Sequence, residues 1–172
     1  QNIRLFRRLS VLDNVRIAQY GHSPYGVLSA LLGTRRVLLA EYRVAQRARQ
    51  LLAVFGLLEY AEQPAQSLPY GLQRRLEIAR ALATRPQLLL LDEPAAGMNP
   101  AEVQSLMHLL QHLHQTTGVT ILLIEHQMPV VMGLAQRIKV LDFGETIAEG
   151  TPQEIRHHPR VIAAYLGAEG QA

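Results

Sequence analysis

The sequence predicts an α/β protein in which parallel strands accompany a separate helical segment. Three observations lead there. Residues 87–91 and 119–124 are short apolar runs of strand length. Between them lies a helix with strong terminal signals: Asn99 as cap, Pro100 in the first turn and Glu102 at the capping-box position. Residues 11–67, in contrast, carry helical periodicity with no strand pattern.

Each element follows from local signals. Ser10, with Asp13 three residues on, starts a short helix reaching Ala18. The stretch 21–26, GHSPYG, reads as a loop. Residues 41–55 form an amphipathic helix with Val44, Ala48, Leu51, Leu52 and Phe55 on one face, stopped by Gly56. A helix over 72–84 places Leu72, Leu76, Ala79 and Ala83 on its apolar face and ends at Arg85-Pro86. Residues 87–91 and 119–124 read as buried strands. The helix between them shows Val103, Leu106, Met107, Leu110 and Leu113 as its stripe and closes at Gly118. Strand, helix and strand make a βαβ unit, so the two strands should run parallel. A short helix over 129–136, a hairpin of 138–141 with 145–148, and one C-terminal helix opened by Thr151, Pro152 and Glu154 complete the chain. The tail after Leu166 is expected to fray.

Composition narrows the function. The 172 residues are 48% hydrophobic, enough for a packed core, and contain no cysteine, which excludes disulfides and thiolate chemistry. The net charge of +3 is carried by arginine, because Lys139 is the single lysine. The pairs Arg7-Arg8, Arg35-Arg36 and Arg74-Arg75 read as solvated helix faces, and aromatics at 5% do not interleave them as a nucleic-acid surface requires. No apolar run reaches the ~18 residues of a membrane span. The chain begins QNIRLF, which reads like the middle of a segment and suggests a fragment.

The chemistry concentrates where apolar runs end. Asp92 and Glu93 follow LLLL directly. Ligands in open α/β sheets bind beyond the carboxyl ends of the strands, and adjacent side chains there point to opposite faces. One carboxylate is thus able to face a metal and the other a water. The second run ends in Glu125 and His126, which predicts polar groups at the same sheet edge. Gly71 stands at the start of an arginine-bearing helix, where free amides and the helix dipole suit an anion.

In order, LPYGLQRRLEIARAL, LLLLDEPAAGMNP and TILLIEHQM resemble the signature, Walker B, D-loop and switch segments of ABC transporter ATP-binding subunits. RRLEIARAL, DEPAAGMNP, LLIEHQMPVVM, EGTPQEI and VIAAYLG look most like the branched-chain amino acid importer (LivG-type) subgroup, and the resemblance covers essentially the whole chain. It implies a partial P-loop NTPase core of the ABC ATPase kind, with parallel strands plus an α-helical subdomain. Its divisions are a Q-loop segment over 1–10, the helical subdomain over 11–67, the α/β core over 68–150 and a C-terminal helical tail over 151–172.

It further implies ATP and Mg²⁺ as cofactors and ATP hydrolysis as the reaction. Asp92 would act on Mg²⁺ through water and Glu93 would be the general base. His126 would contact the γ-phosphate, and Gln1 would touch Mg²⁺ and the attacking water. Leu68, Pro69, Tyr70, Gly71 and Leu72 would face the nucleotide of a second ATP-binding subunit, with Gly97, Met98 and Asn99 as the D-loop. The implied partners are that second subunit, identical or related, and transmembrane permease subunits; no nucleic acid is implied. The implied location is peripheral, on the cytoplasmic face of the bacterial inner membrane.

The sequence departs from the family at Pro69, where serine is usual, at Leu72, where glutamine is usual, and at Asn99, where aspartate is common. No G-x-x-x-x-G-K-[ST] loop occurs, since Lys139 lies in QRIKVLD. The chain alone is therefore expected neither to bind ATP tightly nor to hydrolyse it. Competing readings are a soluble, non-transporter ABC ATPase and a non-catalytic permease-docking module. The DFG at 142–144 does not make a kinase, because no H-R-D loop accompanies it.

Overall fold

The computed structural model describes residues 4–22 and 34–169. Two compact units divide at Leu122/Leu123, and each is described by itself.

In the first unit, helix α1 (Val11–Gln19) is capped by Ser10, whose hydroxyl accepts from the Asp13 amide. A 3₁₀ turn (Tyr20–His22) follows. Helix α2 (Arg35–Val54) begins six residues before the expected position 41. Thr34 caps it by accepting from the Val37 amide, and Val37 and Ala40 extend the buried stripe of Val44, Ala48 and Leu52 backward. The arginine pair at 35–36 masked that beginning, because both side chains point to solvent and break the apolar pattern. Two 3₁₀ turns (Leu58–Tyr60 and Ala65–Ser67) lead to helix α3 (Tyr70–Ala83). Helix α1 packs on both α2 and α3. Arg16 bridges α1 to α2 through Glu41 at 3.1 Å, and the Tyr20 hydroxyl donates to the same carboxylate at 2.9 Å.

One polar residue sits fully inside this unit. Asn14 is 0% exposed, yet each of its polar atoms is satisfied. Its Oδ1 accepts from the Phe6 amide at 2.9 Å, and its Nδ2 donates to the Phe6 and Ser10 carbonyls at 3.1 and 2.9 Å. This holds the segment before α1 against the helix.

Strand β1 (Leu88–Asp92) and strand β2 (Thr120–Ile124) are neighbours in a two-stranded sheet. The Thr120 amide donates to the Gln87 carbonyl at 3.0 Å, so both strands start from one edge and run parallel, as the βαβ pattern predicts. Between them runs helix α4 (Pro100–Thr117), with the expected capping box, buried Leu106, Leu110 and Leu113, and Gly118 as a left-handed C-cap. The expectation of fully buried strands is corrected. In β1, Leu89 and Leu91 are buried while Leu88 and Leu90 are 50% and 65% exposed. Leu122 of β2 is exposed as well. Only one face of the sheet is covered by the described residues.

In the second unit, helix α5 (Met128–Leu134) precedes an antiparallel hairpin of β3 (Ile138–Asp142) and β4 (Glu145–Gly150). Two C-terminal helices replace the single one expected: α6 (Pro152–Arg156) and α7 (Pro159–Glu169). His157 leaves helical geometry and Pro159 opens a new helix, because proline suits a first turn and lacks the amide that continuation needs. Helix α7 continues past Leu166, where fraying was expected. Ile138, Ala148, Ile155 and Val161 form this unit's core. Hydrogen bonds from the Thr151 amide and hydroxyl hold the Glu154 carboxyl below its ordinary range. Among the described residues no helix is long and apolar enough to cross a membrane.

Asn14 yields a stability prediction. Asn14→Asp replaces the buried Nδ2 donor with a carboxylate oxygen facing the Phe6 and Ser10 carbonyls, so it should cost roughly 1–3 kcal/mol. Urea denaturation of the two proteins measures the difference, and an unchanged midpoint would contradict the assignment.

Candidate functional site

The carboxylates stand where β1 leaves the sheet. Asp92 is the strand's last residue and is exposed, while Glu93 is partly buried. Glu93 adopts φ +44°, although Pro94 ordinarily drives the preceding residue toward extended backbone. Left-handed backbone costs a residue with a Cβ about 1–2 kcal/mol. Two turns then reverse the chain: the Ala96 amide donates to the Glu93 carbonyl at 3.1 Å, and the Met98 amide to the Ala95 carbonyl at 3.2 Å. Asn99 caps α4 by accepting from the Glu102 amide at 3.0 Å, and the Glu102 carboxylate accepts from the Asn99 amide at 2.9 Å.

The N-terminus of α3 presses onto this turn and cap. A Cβ on Gly71 would lie 2.6 Å from Glu102 Oε1, closer than atoms pack, so a side chain there would force the Glu102 carboxylate to move. A Cβ on Gly97, whose φ is +75°, would lie 3.3 Å from Tyr70 Cε1. The structure therefore brings Tyr70 and Gly71, from the segment expected to be the signature, together with Gly97 of the turn. Leu68 is buried, so its side chain serves the core. Pro69 is the N-cap residue and offers no side-chain cap; its carbonyl accepts from the Leu72 and Gln73 amides, each at 3.0 Å. Gln73 Nε2 closes the start of the helix by donating to the Leu68 carbonyl at 2.8 Å. At this position Pro69 and Tyr70 are exposed, whereas Gly71 is buried.

Behind Tyr70 lies a charged network that the sequence reading did not single out. Arg74 is 5% exposed. Its Nε donates to the Tyr70 hydroxyl at 3.1 Å and its Nη1 to Glu77 Oε2 at 3.0 Å. Its guanidinium also lies 5.5 Å from the Tyr70 ring centroid. Burial pushes the Arg74 pKa down, but the hydrogen bonds to Tyr70 and Glu77 outweigh it and hold the group above its ordinary value. The other Glu77 oxygen, Oε1, accepts from the Arg4 amide at 2.9 Å. Arg80 adds a bond to the Arg4 carbonyl and lies 5.1 Å from the Phe6 ring centroid. The available sequence signal was spacing: Tyr70, Arg74 and Glu77 fall at i, i+4 and i+7 on one helix. Arg75 looks identical in sequence but bonds Ser105 instead.

In the second unit, Glu125 and His126 follow β2. The Glu125 side chain is buried, and its Oε2 accepts from the His126 and Gln127 amides at 3.0 and 3.3 Å. The His126 side chain is 67% exposed, with Nδ1 3.9 Å from the same oxygen. Glu125 thus fixes the backbone that presents the imidazole. Gln1 lies outside the described residues. Among the described residues, no three His, Cys, Asp or Glu side chains group to hold a metal ion.

Comparison with known proteins places this geometry among relatives. Residues 1–96 match the family model described as ABC transporter, and 145–171 match one described as branched-chain amino acid ATP-binding cassette transporter. The high-affinity branched-chain amino acid transport ATP-binding protein LivG of Salmonella typhimurium is 48% identical over 97% of this chain. BraF of Pseudomonas aeruginosa, described in the same words, is 44% identical over 97%. The lipopolysaccharide export system ATP-binding protein LptB of Escherichia coli K12 is 37% identical over 98%. The chain spans 66%, 66% and 64% of those relatives' lengths. Among solved structures, cbiO1 from Clostridium perfringens, part of the ABC transporter complex cbiONQ, superposes with a TM-score of 0.74 at 25% identity, covering 96% of this chain and 59% of that one. A dimeric post-hydrolysis state of the ATP-binding cassette MJ0796 bound to ADP and Pi gives 0.70 at 25% identity, covering 88% and 60%.

The Glu93 backbone gives a prediction independent of catalysis. Glu93→Gly relieves left-handed strain that Glu93→Ala retains. The glycine variant should be the more stable of the two by roughly 0.5–1 kcal/mol in urea denaturation. Equal midpoints would remove the strain from Glu93.

Proposed function

The chain belongs to the ABC transporter family, and from that premise we propose that it is the catalytic part of an ATP-hydrolysing subunit of a branched-chain amino acid importer. The carrying observation is the exposed Asp92 and adjoining Glu93 at the open end of β1, in a turn packed against the N-terminus of α3. The two relatives described as branched-chain amino acid transport proteins, at 48% and 44% identity, favour that solute class over the export role named for the relative at 37%.

The donor chemistry suits Mg²⁺ with ATP. Such an ion takes one or two carboxylates and completes its shell with water and phosphate oxygens, so it needs no three-residue cage. When bound, it would neutralise triphosphate charge. Asp92 would hold it through water. Glu93 would take the proton of the attacking water, a role typically worth ~10²–10⁴-fold in rate. His126 would contact the γ-phosphate, and Gln1 would help to hold the metal and the water. Residues 68–72 meet the nucleotide of a second ATP-binding subunit through backbone at the α3 N-terminus. Gly97, Met98 and Asn99 line that junction.

The divisions at 1–10, 11–67, 68–150 and 151–172 then carry, in turn, the Q-loop, the permease-facing helices, the catalytic core and the tail. The permease holds the subunit peripherally at the cytoplasmic face of the inner membrane. The exposed Leu88, Leu90 and Leu122 side chains are the face that a phosphate-binding part of the whole ATPase would cover.

Two measurements test this reading. The 172-residue chain alone should release no phosphate from ATP with magnesium; measurable turnover would overturn the need for an added lysine loop. In the whole ATPase that carries this chain, Glu93→Gln should slow hydrolysis by about 10²–10⁴-fold while ATP still binds. Wild-type turnover in that variant would remove Glu93 from the base role.

A further inference from the structure

A continuous chain of contacts runs through α3 and joins two distant parts of the first unit. At one end, the Tyr70 ring bears on Gly97, in the turn that follows Asp92 and Glu93. The Tyr70 hydroxyl accepts from Arg74, Arg74 pairs with Glu77, and Glu77 accepts from the Arg4 amide. At the other end is the backbone of residues 4–6, which Arg80 also holds at the Arg4 carbonyl and Asn14 at the Phe6 amide. Arg74 is the hinge of this chain. Its fork reaches Tyr70 and Glu77 in two directions, which a lysine ammonium on a flexible stem does not reproduce.

We infer that Tyr70, Arg74 and Glu77 are positioning residues that couple the turn after β1 to residues 4–6, so that both shift together with α3. This rests on the functional reading above and assigns it a device. The N-terminus of α3 is the part proposed to meet a nucleotide held by the partner. A pull there moves the Tyr70 ring, and with it the turn carrying the carboxylates. The same pull moves Glu77 and the Arg4 amide. Three features make the linkage stiff. Gly97 leaves no gap to its neighbour, since a Cβ there would already be 3.3 Å from the ring. Gly71 is backed by Glu102. The Arg74 hinge is buried, where a network whose groups are satisfied rigidifies and holds one arrangement.

The relay makes four predictions that a local stabilising role does not. The test uses the whole ATPase with Arg74→Met, Tyr70→Ala and their combination, and Glu93→Gln as a reference. Arg74→Met should lower kcat roughly 3–30-fold, while KM for ATP changes far less. The double variant should be no slower than the slower single one, because both break the same path. Amide hydrogen exchange of Arg74→Met should quicken at both 4–6 and 95–98, although methionine there touches neither end directly. Tyr70→Phe keeps the ring on Gly97 and should retain protection at 95–98 while 4–6 loosens.

The failures separate. If Glu93→Gln is inactive while Arg74→Met keeps wild-type kcat and normal exchange at both ends, the relay is wrong and the ATPase reading stands. If Glu93→Gln turns over normally, the ATPase reading fails. The exchange arm then decides the relay by itself: faster exchange at both ends supports it, and a change confined to α3 overturns it. Purely additive rate losses, with loosening only near residue 74, likewise reduce Arg74 to a stabilising ion pair.

Discussion

The close approach of α3 to the turn after β1 is the constraint on which the rest depends. It requires a residue without a side chain at both contact points. At 71 a Cβ would run into the Glu102 carboxylate, and at 97 the backbone is left-handed and faces the Tyr70 ring. Glu102 cannot simply withdraw, because its other oxygen caps the Asn99 amide at the start of α4. The helix start, the carboxylate turn and the next helix cap therefore share one small volume. A function that needs metal-facing, water-facing and phosphate-facing groups at fixed separation benefits from such a junction.

Charge is organised around the same helix. Most arginines of this chain are surface groups, and an exposed pair such as Arg49–Glu62, at 3.3 Å, contributes little to stability. Arg74 is different because it is buried and bonded on two sides. Removing one partner of a buried ion pair strands the other, at a cost of about 3–5 kcal/mol. The network thus fixes geometry and is no strong source of net stability. The Glu93 backbone carries the opposite economy: strain tolerated where a carboxylate must leave the sheet abruptly.

Much of the fold was legible because helix ends have local chemistry. Ser10, Asn99 with Glu102, Thr151 with Glu154, and Gly118 each mark a terminus within a few residues, and each lies where the pattern put it. Thr34 was equally available, but the exposed arginines after it broke the apolar period and hid the first turn and a half of α2. Proline 159 was also visible, yet a five-residue helix before it is too short for periodicity to detect. The strands were recognised by their apolar runs, and their burial was overstated. Four consecutive leucines report hydrophobicity and not how many neighbours cover them. Leu88 and Leu90 face one way and Leu89 and Leu91 the other, and only the second pair is buried.

The candidate site divides in the same manner. Residue order alone singled out the candidate side chains: a strand end bearing Asp92 and Glu93, a second bearing Glu125 and His126, and a glycine at a helix start. These are local facts, set by covalent sequence and the two- and 3.6-residue periods of strand and helix. Only the tertiary structure decided that Glu102 backs Gly71, that Tyr70 rests on Gly97, and that Arg74 rather than Arg75 is buried between a hydroxyl and a carboxylate. Those contacts link residues far apart in the chain through packing and burial, which depend on the summed positions of whole elements and leave no short pattern to read.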